Sequence, residues 1–288
     1  MYNGIRLLLD TPGSTLLGLP RLLIDDTYRT RLLDACLDPV VASFWENEFA
    51  AYDDRFRAQV IAPVQNKVGM LLAGPIANIV GQRRSTIDIP RLMNEGGVLV
   101  ANLGKGKVGA VASHLLGAFF ATTISQAADA RSGEQLINWP DFTLYADEVQ
   151  NFATERFAST LSEGRNGKLM LVVAHQYLEQ LPRPLQHAIL ANCGSFVAFR
   201  IGSNDTRMMA AELAIDNERT LSDTANFHAW VKLLQNGMPS DAFYMTTVTP
   251  TPPEKGRTGA VRAHTRSRHT RDRLAVEHDV RRQIGGLQ

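Results

Sequence analysis

Apolar runs that stop abruptly on polar residues, each separated from the next by a stretch with helical spacing, constrain this chain more than any other feature. They are DFTLYAD (141–147), LMLVVAHQ (169–176) and GSFVAFRIG (194–202). Helical segments lie between and after them: NFATERFASTLSEGR (151–165), PRPLQHAILANC (182–193) and DTRMMAAEL (205–213). GGVLVANL (96–103) reads as one more buried strand at the front of this series, followed by a long helix over 109–130. Near-continuous apolar strands alternating with helices predict a mainly parallel α/β sheet covered by helices on both faces.

Two other regions frame this core. Residues 1–95 read as a short strand, IRLLLD (5–10), followed by a mainly helical subdomain. Pro39 divides its first helical stretch, and a second helix over 62–82 is expected to break at Gly74-Pro75. The aromatic group Phe44, Trp45, Phe49, Tyr52 and Phe56 recurs at helical spacing and is expected to pack in a core or between helices. Past the core, HAWVKLLQNGMPSDAFYMTTV (228–248) reads as an antiparallel hairpin on the sheet edge, because Asn-Gly tolerates the positive φ of a tight turn. The expected organisation is 1–95, 96–250 for the core, and 251–288 for a linker and a disordered basic tail.

Charge is unevenly distributed. Residues 257–288 hold eight Arg against three acidic residues, net +5, so the other 256 residues carry −4 of the chain's +1. Arg266, Arg268, Arg271 and Arg273 in RSRHTRDR form the densest basic cluster, either a solvated tail or a phosphate-neutralising nucleic-acid contact. Two distant cysteines, Cys36 and Cys193, read as reduced core thiols rather than a disulfide or metal pair. The N-terminus lacks the layout of a signal peptide. Residues 108–128 contain no charged residue, but their His114, Gln126 and many small side chains favour a buried helix over a membrane span.

The chemistry concentrates at LYADEVQ (144–150), where a strand ends on Asp147 and Glu148. Open parallel sheets bind ligands at the carboxyl ends of their strands. An aspartate there can hold Mg²⁺ through oxygen ligation and water, and a neighbouring glutamate can orient and deprotonate an attacking water. The same pair could instead favour the start of the following helix. The next strand also ends on a polar residue, Gln176, which can bond a γ-phosphate or the attacking water. Arg165 lies in the intervening LSEGRNGK, either as a phosphate-facing guanidinium or as a solvated surface side chain. His175, beside Gln176, could support that residue.

In this order, LYADEVQNF, LSEGRNGKL, LVVAHQYLEQL and FVAFRIGSNDTRMMA resemble the RecA-like motor ATPases of the HerA/FtsK group. Within that group the chain looks most like the conjugative coupling proteins of type IV secretion, the TraG/TraD-like branch with its TraM-recognition region. The resemblance spans roughly residues 5–248 and implies a RecA-like P-loop NTPase core with a helical N-terminal insertion. It implies ATP and Mg²⁺ as cofactors, DNA as partner, a hexameric ring, and possible relaxosome or secretion-channel proteins. It further implies Asp147 as the Walker B magnesium aspartate, Glu148 as the catalytic glutamate, and Gln176 as the sensor glutamine. Arg165 corresponds to an arginine finger reaching a neighbouring subunit's nucleotide, with Arg200 as a second candidate for contact with the cofactor.

The sequence departs from that family at one point. It contains no G-x-x-x-x-G-K-[ST] phosphate-binding loop. NLGKGKVGAVAS (102–113) has the glycines and lysines but not the spacing, and reads as a tight strand-to-helix turn. The expectation is the C-terminal part of a cytoplasmic motor, held at the inner face of the membrane by segments outside this chain. Such a part would be inactive by itself. The alternative is a non-catalytic partner or regulatory subunit of a secretion or DNA-transfer assembly.

Overall fold

The computed structural model describes residues 1–69, 75–133, 139–152 and 154–285, with the side chain of Glu155 also set aside. Gly74, half of the expected helix break, lies outside the described residues. The chain divides into two compact units. The first comprises residues 1–87, 104–112 and 256–288, and the second 88–103 and 113–255.

The first unit is helical. Its elements are α1 (Tyr2–Asp10), α2 (Gly18–Ile24), α3 (Asp26–Leu33), α4 (Pro39–Ser43), a π-turn (Phe44–Phe49), α5 (Asp54–Gly69) and α6 (Pro75–Val80). Local sequence sets several of these starts. The Asp25 carboxylate accepts from Tyr28 N–H at 2.9 Å to cap α3, and Asp38 caps α4 with Pro39 in the first turn. Trp45 and Phe49 are buried core with ring centroids 4.7 Å apart, Phe44 and Tyr52 pack partly buried against them, and Phe56 at the end of the group is exposed.

IRLLLD is helix, not strand. Gly4, Leu7 and Leu8 are buried while Leu9 is exposed. Buried positions at i, i+3 and i+4 are the face of a helix, whereas a strand would turn Leu7 and Leu9 the same way. Gly4 permits the packing, because a Cβ there would come within 2.5 Å of Leu19 Cδ1 on α2.

The basic end of the chain is also folded rather than disordered. It forms α14 (Arg257–His269) and α15 (Arg273–Gly285). Val276 and Val280, one helical turn apart, are buried with Leu17 and Ala77. The Gln283 side chain accepts from Thr15 Oγ1 at 2.6 Å and donates to the Gly81 carbonyl at 2.8 Å. A composition too poor in apolar residues to fold alone needs only two, one turn apart, to dock on an existing surface.

The second unit contains α7 (Ile89–Asn94), most of α9 (Ala110–Ser132), α10 (Glu155–Glu163), α11 (Arg183–Asn192), α12 (Ser203–Leu213), α13 (Arg219–Ser222) and the seven strands found among the described residues; the short α8 (Lys105–Val108) precedes α9. β1 (Phe142–Ala146) and β2 (Leu169–Val173) pair in parallel, Phe142 opposite Leu169 through Ala146 opposite Val173. β3 (Phe196–Ala198) pairs antiparallel with β4 (His228–Lys232), which pairs antiparallel with β7 (Phe243–Thr246). β5 (Leu234–Gln235) and β6 (Met238–Pro239) close the hairpin through Asn236 and Gly237, at φ 50° and 79°.

The protein is therefore mixed α/β with a parallel sheet, but the single, mainly parallel sheet expected from the sequence is not formed among the described residues. The third apolar run lies on the hairpin instead of beside β2. Ser195 Oγ accepts from Leu234 N–H at 2.9 Å, and a Cβ on Gly194 would sit 2.8 Å from Leu234 Cδ2, so these contacts set β3 against β4. The 96–103 run is not a strand either. Val98 and Val100 are each 88% exposed, and no strand pairs with them among the described residues. An apolar run becomes a strand only where another backbone satisfies its peptide groups.

The charge-free stretch over 108–128 falls mostly in α9, and its small residues serve close packing. A Cβ on Gly117 would lie 2.7 Å from Phe152 Cβ, and Ser125 bonds Thr160 of α10 in a buried hydroxyl pair. Among the described residues no helix is long and apolar enough to cross a membrane.

Candidate active site

The parallel pair β1–β2 builds the site. Ladder bonding continues past both strand ends: Ala174 N–H donates to the Ala146 carbonyl at 2.9 Å, and Val149 N–H donates to the Ala174 carbonyl at 3.0 Å. The chain thus leaves the ladder after Ala146 and rejoins it at Val149, whose side chain is 0% exposed in the core. Asp147 and Glu148 fill the gap as a two-residue turn, with Glu148 in the left-handed region at φ 53°. A non-glycine residue costs about 1–2 kcal/mol there. Strain of this kind persists where the surroundings fix it, and it collects at functional sites.

The turn separates the two carboxylates by role. Asp147 is exposed and makes no hydrogen bond or ion pair among the described residues. Glu148 is half-buried and held from two sides. Gln176 Nε2 donates to its Oε1 at 2.7 Å, and Gln150 Nε2 donates to its Oε2. Gln176 follows β2 as Glu148 follows β1, so the contact joins the carboxyl ends of adjacent parallel strands. Gln150 stands in the same LYADEVQ stretch but carries no sequence signal of its own. Its Oε1 is buried with no partner among the described residues, an acceptor left open beside the carboxylate.

The loop after β2 is tied down from α12. The buried Asp205 carboxylate accepts from Leu178 N–H at 2.9 Å. Burial pushes the His175 imidazole below its ordinary pKa, a shift that the Asp205 charge and the backbone at Tyr177 oppose. Asp205 gave no sequence signal, because a lone aspartate near a helix start is indistinguishable from a cap.

The two candidate arginines stand apart from this cluster. Arg165 is exposed in the 3₁₀ turn Gly164–Gly167, which enters β2 at the end opposite Gln176. Five strand residues at about 3.3 Å each put roughly 13 Å between those ends. The turn is rigidly placed, since a Cβ on Gly167 would come within 2.2 Å of the Ala128 carbonyl oxygen on α9. Arg200 follows β3, and its Nε donates to the Thr224 carbonyl at 2.8 Å, a structural tie.

The oxygen chemistry suits a hard divalent cation at Asp147, a single free carboxylate that leaves the remaining ligands to water and phosphate. Among the described residues no group of three or more His, Cys, Asp or Glu converges on one point, so a cage made only of protein ligands is not present there. The phosphate cradle does not fit. Lys105 and Lys107 belong to α8, a single four-residue turn ending at Gly109 (φ 85°), without the long amide-lined loop that wraps a polyphosphate.

In the basic segment, Arg271 pairs with Asp279 at 2.8 Å and Arg273 with Glu277 at 2.7 Å, while Arg266 and Arg268 are exposed on α14.

No family model and no curated protein matches the chain. Solved structures do match. Among them, the bacterial conjugative coupling protein TrwBdeltaN70, in an unbound monoclinic form, aligns with a TM-score of 0.63 at 14% sequence identity. The alignment covers 87% of this chain and 63% of that one, so this chain spans less than two thirds of that structure's length. The likeness is one of fold, and it extends over most of the chain.

Proposed function

We propose that this chain is part of an ATP-driven DNA-translocating motor of the RecA-like, HerA/FtsK type, working as a coupling ATPase in conjugative DNA transfer. The observation that carries this reading is the Gln176–Glu148 hydrogen bond across the carboxyl ends of two parallel strands. The fold shared with a conjugative coupling protein supports it.

In this reading Asp147 would hold Mg²⁺, which would offset the negative charge on the phosphates of the nucleotide substrate. Glu148 orients the attacking water and takes its proton. Gln176 and Gln150 fix the Glu148 carboxylate by its two oxygens, and Gln176 senses the neighbouring phosphate through the same amide. Arg165, at the far end of β2, serves a neighbouring subunit's nucleotide in a hexameric ring rather than its own. Arg266 and Arg268 contact DNA phosphates, with relaxosome or secretion-channel proteins as further partners, at the cytoplasmic face of the membrane. With no phosphate loop in its sequence, the chain alone binds and hydrolyses ATP poorly.

The test is an NMR titration with Mn²⁺ and ATP. Paramagnetic broadening is expected around residues 146–150 and 174–177 and is lost in Asp147→Asn. Broadening elsewhere, or equal broadening in the variant, rejects the assignment.

The missing G-x-x-x-x-G-K-[ST] favours a second reading, a non-catalytic subunit of a DNA-transfer assembly. Glu148→Gln separates the two in a DNA-transfer assay in the native host. A catalytic role loses transfer, and a scaffold role retains it.

A further inference from the structure

Within the first unit, a cleft of about 940 Å³ opens between the segment Asn78–Ile87 and the His269–Arg281 stretch. Its walls are locked together. Thr86 Oγ1 donates to the His269 carbonyl at 2.9 Å, His269 Nδ1 bonds the Thr86 carbonyl at 2.8 Å, and Val276 and Val280 pack with Ala77. Four guanidinium groups line it: Arg84, Arg271, Arg273 and Arg281. Among the described residues Glu277 is the one carboxylate in the lining.

The four are not equivalent. Arg273 is engaged by Glu277, and Arg271 by Asp279 on the adjoining turn of α15. Arg84 and Arg281 reach the cleft from opposite walls; neither makes a hydrogen bond or close ion pair among the described residues, although the Glu277 carboxyl, held below its ordinary pKa first by the Arg273 hydrogen bond, is lowered further by the Arg281 charge. Mutual repulsion disfavours gathering like charges in a concavity unless an anion enters, and the concavity focuses their field. Guanidinium forks match phosphate oxygens bidentately. The volume lies within the range of small-ligand sites and accommodates several linked phosphates.

We infer that this cleft is a phosphate-binding site for a polyanion carrying two or more phosphates in series, gripped by Arg84 and Arg281 from opposite walls. It lies in the helical unit and goes beyond the hydrolytic site proposed at Asp147 and Glu148. The same chemistry is offered by a free polyphosphate or nucleotide tail and by a nucleic-acid backbone.

The experiment is calorimetric titration of the full chain at low salt with two probes, inorganic tripolyphosphate and a short single-stranded oligonucleotide. The variants are Arg84→Ala with Arg281→Ala, and Arg266→Ala with Arg268→Ala on α14 outside the cleft. Each cleft arginine is surface-placed, and thermal melting confirms that the variants fold. Losing both guanidiniums is expected to weaken binding by roughly tenfold to a hundredfold. The α14 variant should leave tripolyphosphate affinity unchanged. Tripolyphosphate binding that weakens in the Arg84/Arg281 variant identifies a free polyphosphate as a sufficient ligand, and oligonucleotide binding that weakens in that variant while tripolyphosphate does not bind identifies the nucleic-acid backbone. The inference is overturned if neither probe binds the wild-type chain, or if the Arg84/Arg281 variant binds both as well as wild type does.

Discussion

Gln176 Nε2 donates to Glu148 Oε1 across 2.7 Å, and this bond links the residue after one parallel strand to the turn that ends its neighbour. Glu148 holds φ 53° to make it. Backbone strain and side-chain bonding therefore act on the same residue in opposite directions. Glu148→Gly relieves the strain and removes the side-chain hydrogen bonds, so global stability should change by no more than about 1 kcal/mol in urea denaturation. Metal-nucleotide turnover, measured in an assembly that supplies the phosphate loop, should vanish in the same variant. A large stability loss would show that Glu148 is there for the fold.

Asp205 presents a separable case. Its carboxylate is the partner of the Leu178 N–H in a buried setting. Asp205→Ala leaves that donor without an acceptor and should cost about 1–3 kcal/mol, whereas Asp205→Asn keeps an acceptor and should cost less. Amide exchange at Leu178 reads the same bond locally and should quicken in the alanine variant. Equal protection in both variants would sink the role assigned to Asp205.

His175 gives a pH dependence with a definite sign. Burial lowers its folded pKa below the ordinary 6.5. Below that value the unfolded chain binds the proton more readily than the folded one, so stability falls as pH drops beneath about 6.5. The contribution is fully present above it. His175→Gln should flatten the stability profile between pH 6.5 and the folded pKa, measured by denaturation at a series of pH values. An unchanged slope would mean that His175 titrates as in the unfolded chain.

Gly167 holds the turn that carries Arg165. The Cβ of an alanine would meet the Ala128 backbone, which cannot swing aside as a flexible side chain can. Gly167→Ala should cost about 1–3 kcal/mol by overpacking, with shifted amide resonances at Arg165 and in the last turns of α9. A neutral substitution would show that α9 and this turn yield easily.

Arg266 and Arg268 offer the test of nucleic-acid binding that deleting the chain end cannot, because α15 is packed against α2 and α6. Replacing both with alanine should lower the slope of log affinity for DNA against log salt by roughly 2. An unchanged slope removes them from the interface.

LYADEVQ was legible because it depends on one strand and its immediate sequel. An apolar run ending on two carboxylates predicts that a strand stops there, and β1 stops at Ala146, just before them. Gln176 was legible for the same reason. The partner that fixes Glu148 from its other side, Gln150, was within view but indistinguishable from a helix residue, since its aim depends on the left-handed turn before it. IRLLLD reads as a strand because a short apolar run satisfies strand and helix patterns alike, and GGVLVANL because its apolar run carries no sign that a pairing backbone is missing. The deciding factor is whether a second backbone lies alongside, which is a property of the assembled unit.

The sequence by itself determined the polar ends of β1 and β2, the Asn236-Gly237 turn and the capped starts of α3 and α4, because each rests on neighbouring residues and their backbone preferences. Only the tertiary structure decided that the third apolar run joins the hairpin, that the basic segment folds as α14 and α15, and that Arg84 and Arg281 face one cleft. Those outcomes depend on contacts between residues far apart in the chain, and the free energy that selects among them comes from burial and pairing, which no local spacing encodes.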